Sequence, residues 1–436
     1  MSTIKQRLQQ FGLSTADILI PKQGTDLEKW AVVACDQYTS QREYWERVKE
    51  HVGQEPSTLK LIFPEVYLND ADKQERIREI NRTMHQYVED NLFTSYADSF
   101  FLVHRYTANN RDRWGLMACL DLERYDFSKD SRSLVRATEG TILSRIPPRK
   151  EIRRNAPLEL PHIMVLISDE KRSVIEPFEQ KCQTLDKIYE TPLMENGGRI
   201  VAYRIFKQED LEEIADAFSV LYTALDSRNP LLFAMGDGNH SLATAKSCWE
   251  DIKGTLSLEQ RENHPARYAL VELENIYDSG LVFEPIHRLL FHSDYAQFLK
   301  IVRKNAQKVT IEEIPNLREL SQRINGKGKQ KFGYLDKEGY KLFTLDKPSS
   351  SIAAGTLQLV IDELVENRKC EVDYVHGIDV VDTQGKLEDN CGLILPAVSK
   401  DTFFDTIIKD KALPRKTFSM GEAAEKRFYM EARKIQ

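Results

Sequence analysis

Apolar positions along the chain switch between a helical and an alternating period, and each switch marks an element. Ile4, Leu8 and Phe11 form one face of a short N-terminal helix, and Ile77, Ile80, Met84, Tyr87 and Val88 predict a longer helix over about 70–91. Residues 30–35 read as a buried strand, followed by a helix that Ser40 and Glu43 open as a capping box and that ends before Gly53. Stretches 100–106 and 114–125 predict a hairpin around the polar residues 109–112. Beyond residue 131 the pattern predicts a strand at 163–167, a helix over 176–190, a strand at 199–206 and a helix over 208–226. An apolar run at 231–235 then leads through a glycine-rich turn into a helix over 241–253 and a strand at 267–276. Residues 294–348 read as a smaller α+β element holding a lysine-rich loop at 325–331. The end returns to strands at 370–375 and 391–398 and to two helices, the last over 422–434.

Strands alternating with helices imply a mixed α/β (α+β) fold: a mixed sheet core flanked by helices, with a smaller α+β element toward the C-terminus. The expected division is an N-terminal α/β region over 1–130, a central region over 131–293 that holds the glycine-rich turn, and a C-terminal α+β region over 294–436 packing back on the core.

Composition narrows the classes. The 436 residues are 41% hydrophobic and 30% charged, which suits a globular chain rather than a disordered one. With 61 basic and 68 acidic residues the net charge is −7, which argues against coating nucleic acid. Apolar runs are far shorter than the roughly 18 residues that span a bilayer, and the N-terminus lacks an apolar signal core, so a cytoplasmic protein without a membrane partner is expected. The six cysteines are scattered without a C-x-x-C pair, so reduced, buried thiols are expected.

The stretch from Leu231 to Lys246 holds the densest candidate chemistry. A buried strand ends in Gly236-Asp237-Gly238-Asn239-His240-Ser241 and runs directly into a helix. Helix N-termini present backbone N–H groups and partial positive charge, so such a turn can hold a phosphate. Asp237 would repel that phosphate unless it binds a cation or takes a proton from a substrate hydroxyl, and His240 could donate to a phosphoryl oxygen or shuttle a proton. The alternative is that the glycines only make the turn, Asp237 caps the helix and His240 packs. A Rossmann fingerprint would need glycine where Ser241 stands, and no P-loop, H-E-x-x-H or G-x-S-x-G motif occurs. No preformed metal site is expected.

Other candidates lie elsewhere. Arg145 opens a stretch to Arg154 with five cations and one anion, which Pro147-Pro148 would stiffen for an anionic visitor; the alternative is a solvated loop paired with acidic surface. Glu139, beside Gly140, could act as base or cation ligand, and His287-Arg288 pairs a proton carrier with a permanent cation. Cys35-Asp36 reads as a buried thiol rather than a nucleophile.

The Gly236–His240 turn, Glu139-Gly140-Thr141, His287-Arg288 and Leu413-Pro-Arg-Lys-Thr417 together resemble the bacterial family catalogued as domain of unknown function 1015. In that family the turn commonly reads D-G-H-H-R and the upstream acid often follows a histidine. Here Asn239, Ser241 and Thr138 stand at those places, which leaves Arg145 or Arg288 to replace the missing arginine. The turn is also similar to that of the ParB and sulfiredoxin superfamily, some members of which bind nucleotide phosphates and one branch of which phosphorylates free serine. The resemblance implies a serine or phosphoserine substrate, since genes of the family often lie beside those for phosphoserine synthesis.

The leading expectation is a small-molecule phosphotransferase, kinase or phosphatase, using Mg²⁺ with ATP or ADP. Asp237, His240 and Glu139 are its candidate catalytic residues; Gly236, Gly238, Asn239, Ser241, Arg145, His287 and Arg288 are the candidate substrate and phosphate ligands. The alternative is a non-catalytic sensor that binds a phosphorylated metabolite or nucleotide at the same turn. DNA binding by analogy with ParB is disfavoured by the net charge. The oligomeric state stays open.

Overall fold

Side-chain alternation along two neighbouring strands explains how one sheet carries two cores. Strands Phe93–Tyr106 and Arg113–Asp121 pair antiparallel, with Leu102 opposite Leu116 and Phe101 opposite Met117. Leu102 and Leu116 enter one buried cluster with Val165, Phe233, Met235, Leu242 and Trp249. Phe101 and Met117 point the other way, into a cluster with Trp30, Trp45, Ile80 and Tyr429. Both faces of the sheet are therefore covered, which is the condition for near-continuous apolar strands.

The computed structural model describes residues 3–109, 111–325, 328–367 and 370–436. Asn110 of the expected hairpin turn and Gly326 and Lys327 of the lysine-rich loop lie outside them. Two compact units emerge: Met1–Leu281 with Gly421–Gln436, and Val282–Met420.

The first unit is a mixed α/β layer structure. Among the described residues its sheet has eleven strands, in the central order Val135–Arg136, Phe233–Asp237, Met164–Ile167, Tyr268–Asn275, Arg113–Asp121, Phe93–Tyr106. Phe233–Asp237 runs parallel to Val135–Arg136 but antiparallel to Met164–Ile167, and Tyr268–Asn275 runs parallel to Met164–Ile167. Helices Gln208–Thr223 and Asn239–Lys253 bury Phe218 and Trp249 on one face; Arg42–Val52 and Lys73–Glu89 bury Trp45 and Ile80 on the other. The second unit is an antiparallel six-stranded sheet with helices, centred on Phe298, Phe332, Tyr334 and Phe343.

Four expectations need correction. Residues 422–434 are not a helix: a short 3-10 turn, Ala423–Glu425, gives way to extended chain that bridges Val33 and Leu19 through Phe428 and Ala432. The segment 176–190 is α-helical only over Glu176–Gln180, with a 3-10 turn at Cys182–Thr184; Tyr189–Leu193 alternates buried and exposed residues within strand Asp186–Leu193. Residues 30–35 form no regular strand, because a helix capped by Asp26 runs through Trp30, and the next helix, Arg42–Val52, starts after Gln41 without the Ser40 cap. The basic stretch is likewise helix Ile146–Arg153, with its prolines in the first turn, where a missing N–H costs nothing. The six cysteines are free of disulfides; Cys119, Cys182, Cys370 and Cys391 are buried as expected, whereas Cys35 and Cys248 are half-buried. Among the described residues no helix is long and apolar enough to cross a membrane.

Candidate functional site

The turn after Met235 is shaped by two glycines with different tasks. Met235 pairs with Val165 and Asp237 with Met164, so Gly236 is the extra residue of a β-bulge, a device that re-aims the next side chain. Gly238 has φ +81°, and a Cβ there would stand 3.1 Å from Ile163 Cγ1. Both the left-handed conformation and the close approach favour glycine. Helix Asn239–Lys253 starts immediately afterwards, and the N–H groups of Ser241 and Leu242 both return to the Gly238 carbonyl at 3.0 Å.

The loop carrying Glu139 is tethered to this turn on both sides. Thr138 donates its N–H to Asn239 Oδ1 at 3.3 Å and its hydroxyl to the Met235 carbonyl at 2.7 Å. Ile142 donates its N–H to His240 Nε2 at 3.2 Å, which makes Nε2 the unprotonated ring nitrogen. The loop carrying Glu139 is therefore held against the turn, and Glu139 itself is partly exposed. Arg145 follows on the same loop, exposed, with its carbonyl accepting from Arg149 at 2.8 Å. The other cations of the stretch are paired: Arg149 with Glu65, Arg153 with Glu159 at 2.6 Å, and Lys150 with Asp251 at 2.7 Å.

The C-terminal segment completes the corner. Lys426 Nζ lies 3.1 Å from Asp237 Oδ2, and the Gly238 N–H donates to Asp237 Oδ1 at 2.8 Å. Burial opposes ionisation of Asp237, but Lys426, the Gly238 amide and His162 outweigh it and hold the carboxyl below its ordinary range. Asp237 thus stays a carboxylate at neutral pH, with its charge offset before any ligand arrives.

Below the first turn of the helix, Ser241 Oγ and His162 Nε2 are 2.9 Å apart, and His162 Nδ1 and the Tyr429 hydroxyl are 3.0 Å apart. The Cys35 N–H donates to the same hydroxyl at 3.1 Å. Burial pushes the Cys35 thiol up, and Asp36 and Glu65 add to the shift, so it is no thiolate nucleophile. These groups line a cavity of about 150 Å³.

His287 and Arg288 belong to the second unit. His287 Nδ1 accepts the Leu395 N–H at 3.2 Å, and burial with the nearby Arg288 and His376 lowers its pKa to about 4. Arg288 donates to the Ile286 carbonyl at 2.7 Å and stacks over Tyr374. Among the described residues no group of three or more His, Cys, Asp or Glu is arranged to hold a metal ion.

Sequence reasoning missed Lys426, Tyr429 and His162. His162 carried a signal, a histidine after Pro161 at the mouth of an apolar strand; Lys426 and Tyr429 sat in a segment read as helix.

The first unit is a mixed α/β sheet with an acid–lysine pair at a strand-to-helix corner. The chain belongs to the family described as protein of unknown function (DUF1015), which matches residues 19–369. No curated protein matches it significantly. Similar solved structures include a free serine kinase with AMP, at 10% identity and TM-score 0.36, covering 73% of this chain and 91% of that one. A mutant free serine kinase with ADP gives 9%, TM-score 0.38, 73% and 92%. SbnI from Staphylococcus aureus, truncated at its C-terminus, gives 8%, TM-score 0.36, 70% and 82%.

Proposed function

We propose that the protein is a small-molecule phosphotransferase that acts on serine or phosphoserine with Mg²⁺-bound ATP or ADP, the transferring phosphate lying at the Gly236–His240 turn. The observation that carries this reading is the Asp237–Lys426 pair at the start of a helix, with the Glu139 loop tethered beside it. Phosphoryl transfer depends on positioning and charge neutralisation more than on covalent help from the protein. Lys426, a point charge on a flexible stem, can turn from Asp237 to a phosphoryl oxygen. Asp237, too acidic to be an efficient proton acceptor, then orients the substrate hydroxyl, and Glu139 takes its proton. His240 holds the Glu139 loop in place through Ile142.

A second reading, a sensor of a phosphorylated metabolite, is favoured by the same pair: Asp237 already accepts from both Lys426 and the Gly238 amide, so the corner needs no turnover to be satisfied. ³¹P NMR of the purified protein with serine and Mg²⁺-ATP or Mg²⁺-ADP, and with phosphoserine, decides. Phosphate exchange that Asp237→Asn abolishes supports the enzyme; nucleotide or phosphoserine binding that survives Asp237→Asn without exchange supports the sensor.

A further inference from the structure

The cavity beneath the turn has two carboxylates on its wall, Glu159 buried and Glu65 half-buried, and they are compensated unequally. Glu159 is paired with Arg153 and Arg433 and accepts the Leu270 N–H at 2.9 Å; burial opposes its ionisation, but those cations hold its pKa low. Glu65 is paired with Arg149, both side chains about one-seventh exposed, at 16% and 14%. There burial wins: it raises the Glu65 pKa despite Arg149, and Asp36 adds to the rise. Glu65 therefore gains from any further positive charge; Arg149 gives one terminal nitrogen to Glu65 and the other to the Arg145 carbonyl at 2.8 Å, and its remaining N–H groups can take a second carboxylate.

The rest of the wall sets size and character. Phe63, Met84, Ile152 and Leu158 give an apolar surface, while Ser241, His162 and Tyr429 form a hydrogen-bonded rim on the side of the turn. A volume of about 150 Å³ takes a molecule near the size of benzene. That is too small for a nucleotide.

We infer that this cavity is a binding site for a small zwitterion, an α-amino acid of alanine's or serine's size, with its carboxylate on Arg149, its ammonium on Glu65 and its side chain toward the Ser241–His162 rim. The assignment rests on the proposed phosphotransferase only for its purpose, as the pocket of the phosphate acceptor; the binding itself needs no nucleotide. An amino acid inserted between Glu65 and Arg149 replaces one ion pair by two, so neither charge is left uncompensated.

Titration calorimetry of the full chain without nucleotide, with L-serine and L-alanine as probes, tests this. Both should bind, whereas ethanolamine and lactate, each lacking one charge, should bind at least tenfold more weakly, and phenylalanine should be excluded. Arg149→Gln and Glu65→Gln should each weaken serine at least tenfold. Ala156→Leu, which fills the cavity and leaves the charges intact, should do the same; circular dichroism confirms that each variant folds. Equal binding of serine, ethanolamine and lactate, unchanged affinity in the folded variants, or no serine binding to the wild type would each overturn the assignment. The two proposals fail separately. Serine binding lost in Arg149→Gln but no phosphate exchange sinks the phosphotransferase alone; exchange whose KM for serine ignores Arg149 and Glu65 sinks the pocket alone.

Discussion

Lys426 and Arg427 are sequence neighbours on the returning C-terminal segment, yet they serve two different electrostatic regions. Arg427 is almost wholly buried and clamps Glu272 and Glu431, with its Nε donating to the Pro161 carbonyl at 3.2 Å. Lys426 makes a single ion pair with Asp237, and the two side chains remain 11% and 23% exposed. One cation is locked by two carboxylates and a carbonyl; the other is held by one carboxylate within reach of solvent. A guanidinium's fixed fork suits the first task, and a flexible point charge the second. Arg427 thus anchors the segment, and Lys426 is what the anchored segment delivers to the corner.

The largest expected effect breaks the locked side. Arg427→Ala leaves Glu272 and Glu431 buried without their shared partner and should destabilise the first unit by about 3–5 kcal/mol, read by urea unfolding. On the open side, Lys426→Met should lower phosphate exchange about 100-fold or more while shifting the unfolding midpoint far less than Arg427→Ala. It should also return the Asp237 pKa toward or above its ordinary value, since burial then acts against one fewer cation; carbon NMR of the carboxyl reads this. If Lys426→Met destabilises as much as Arg427→Ala, the contrast between the two regions falls.

Gly238→Ala sharpens the comparison by moving the corner without changing its charge. The left-handed backbone and the approach to Ile163 should cost about 1–3 kcal/mol and loosen the Asp237–Lys426 geometry. A separate effect concerns pH. Glu274, paired with Arg113 at 2.7 Å but with Oε2 buried and unpartnered, has its pKa raised to about 8 by burial, an effect Arg113 only partly offsets. A carboxyl whose folded pKa lies above its unfolded value contributes stability at low pH and loses it as pH rises, here between about 4.3 and 8. Glu274→Gln should therefore flatten the decline of the melting temperature between pH 5 and 8, whatever its effect on the absolute value. An unchanged slope would remove Glu274 from the account.

The strand and helix around Asp237 were legible because an apolar run ending in Gly-Asp-Gly leaves few local alternatives, and the mixed α/β class followed from the same alternation. The partners of Asp237 were not legible. Phe428, Tyr429 and Met430 are all buried, an arrangement with neither helical nor strand period, because isolated bridges to Val33 and Leu19 set that backbone. Tertiary pairing there overrides local propensity, and Ala423 with Ala424 made the helix look better than it is. Glu139 was placed by sequence only as a possibility; the hydrogen bonds of Thr138 and Ile142 that hold it near the turn are long-range and leave no periodic trace.

The bulge at Gly236 decides which layer of the molecule owns the charge. In a regular ladder every second residue shares a side, so Asp237 would follow Met235 into the oily layer that holds Phe233 and Trp249. The one supernumerary residue inverts that parity and hands the carboxylate to the opposite layer, where Lys426 waits. Straightening that bulge with Gly236 retained would transpose the anion from one hydrophobic compartment to the other, whereas deleting Gly236 would leave Asp237 directly after Met235, still opposite Met164 and on the side of Lys426.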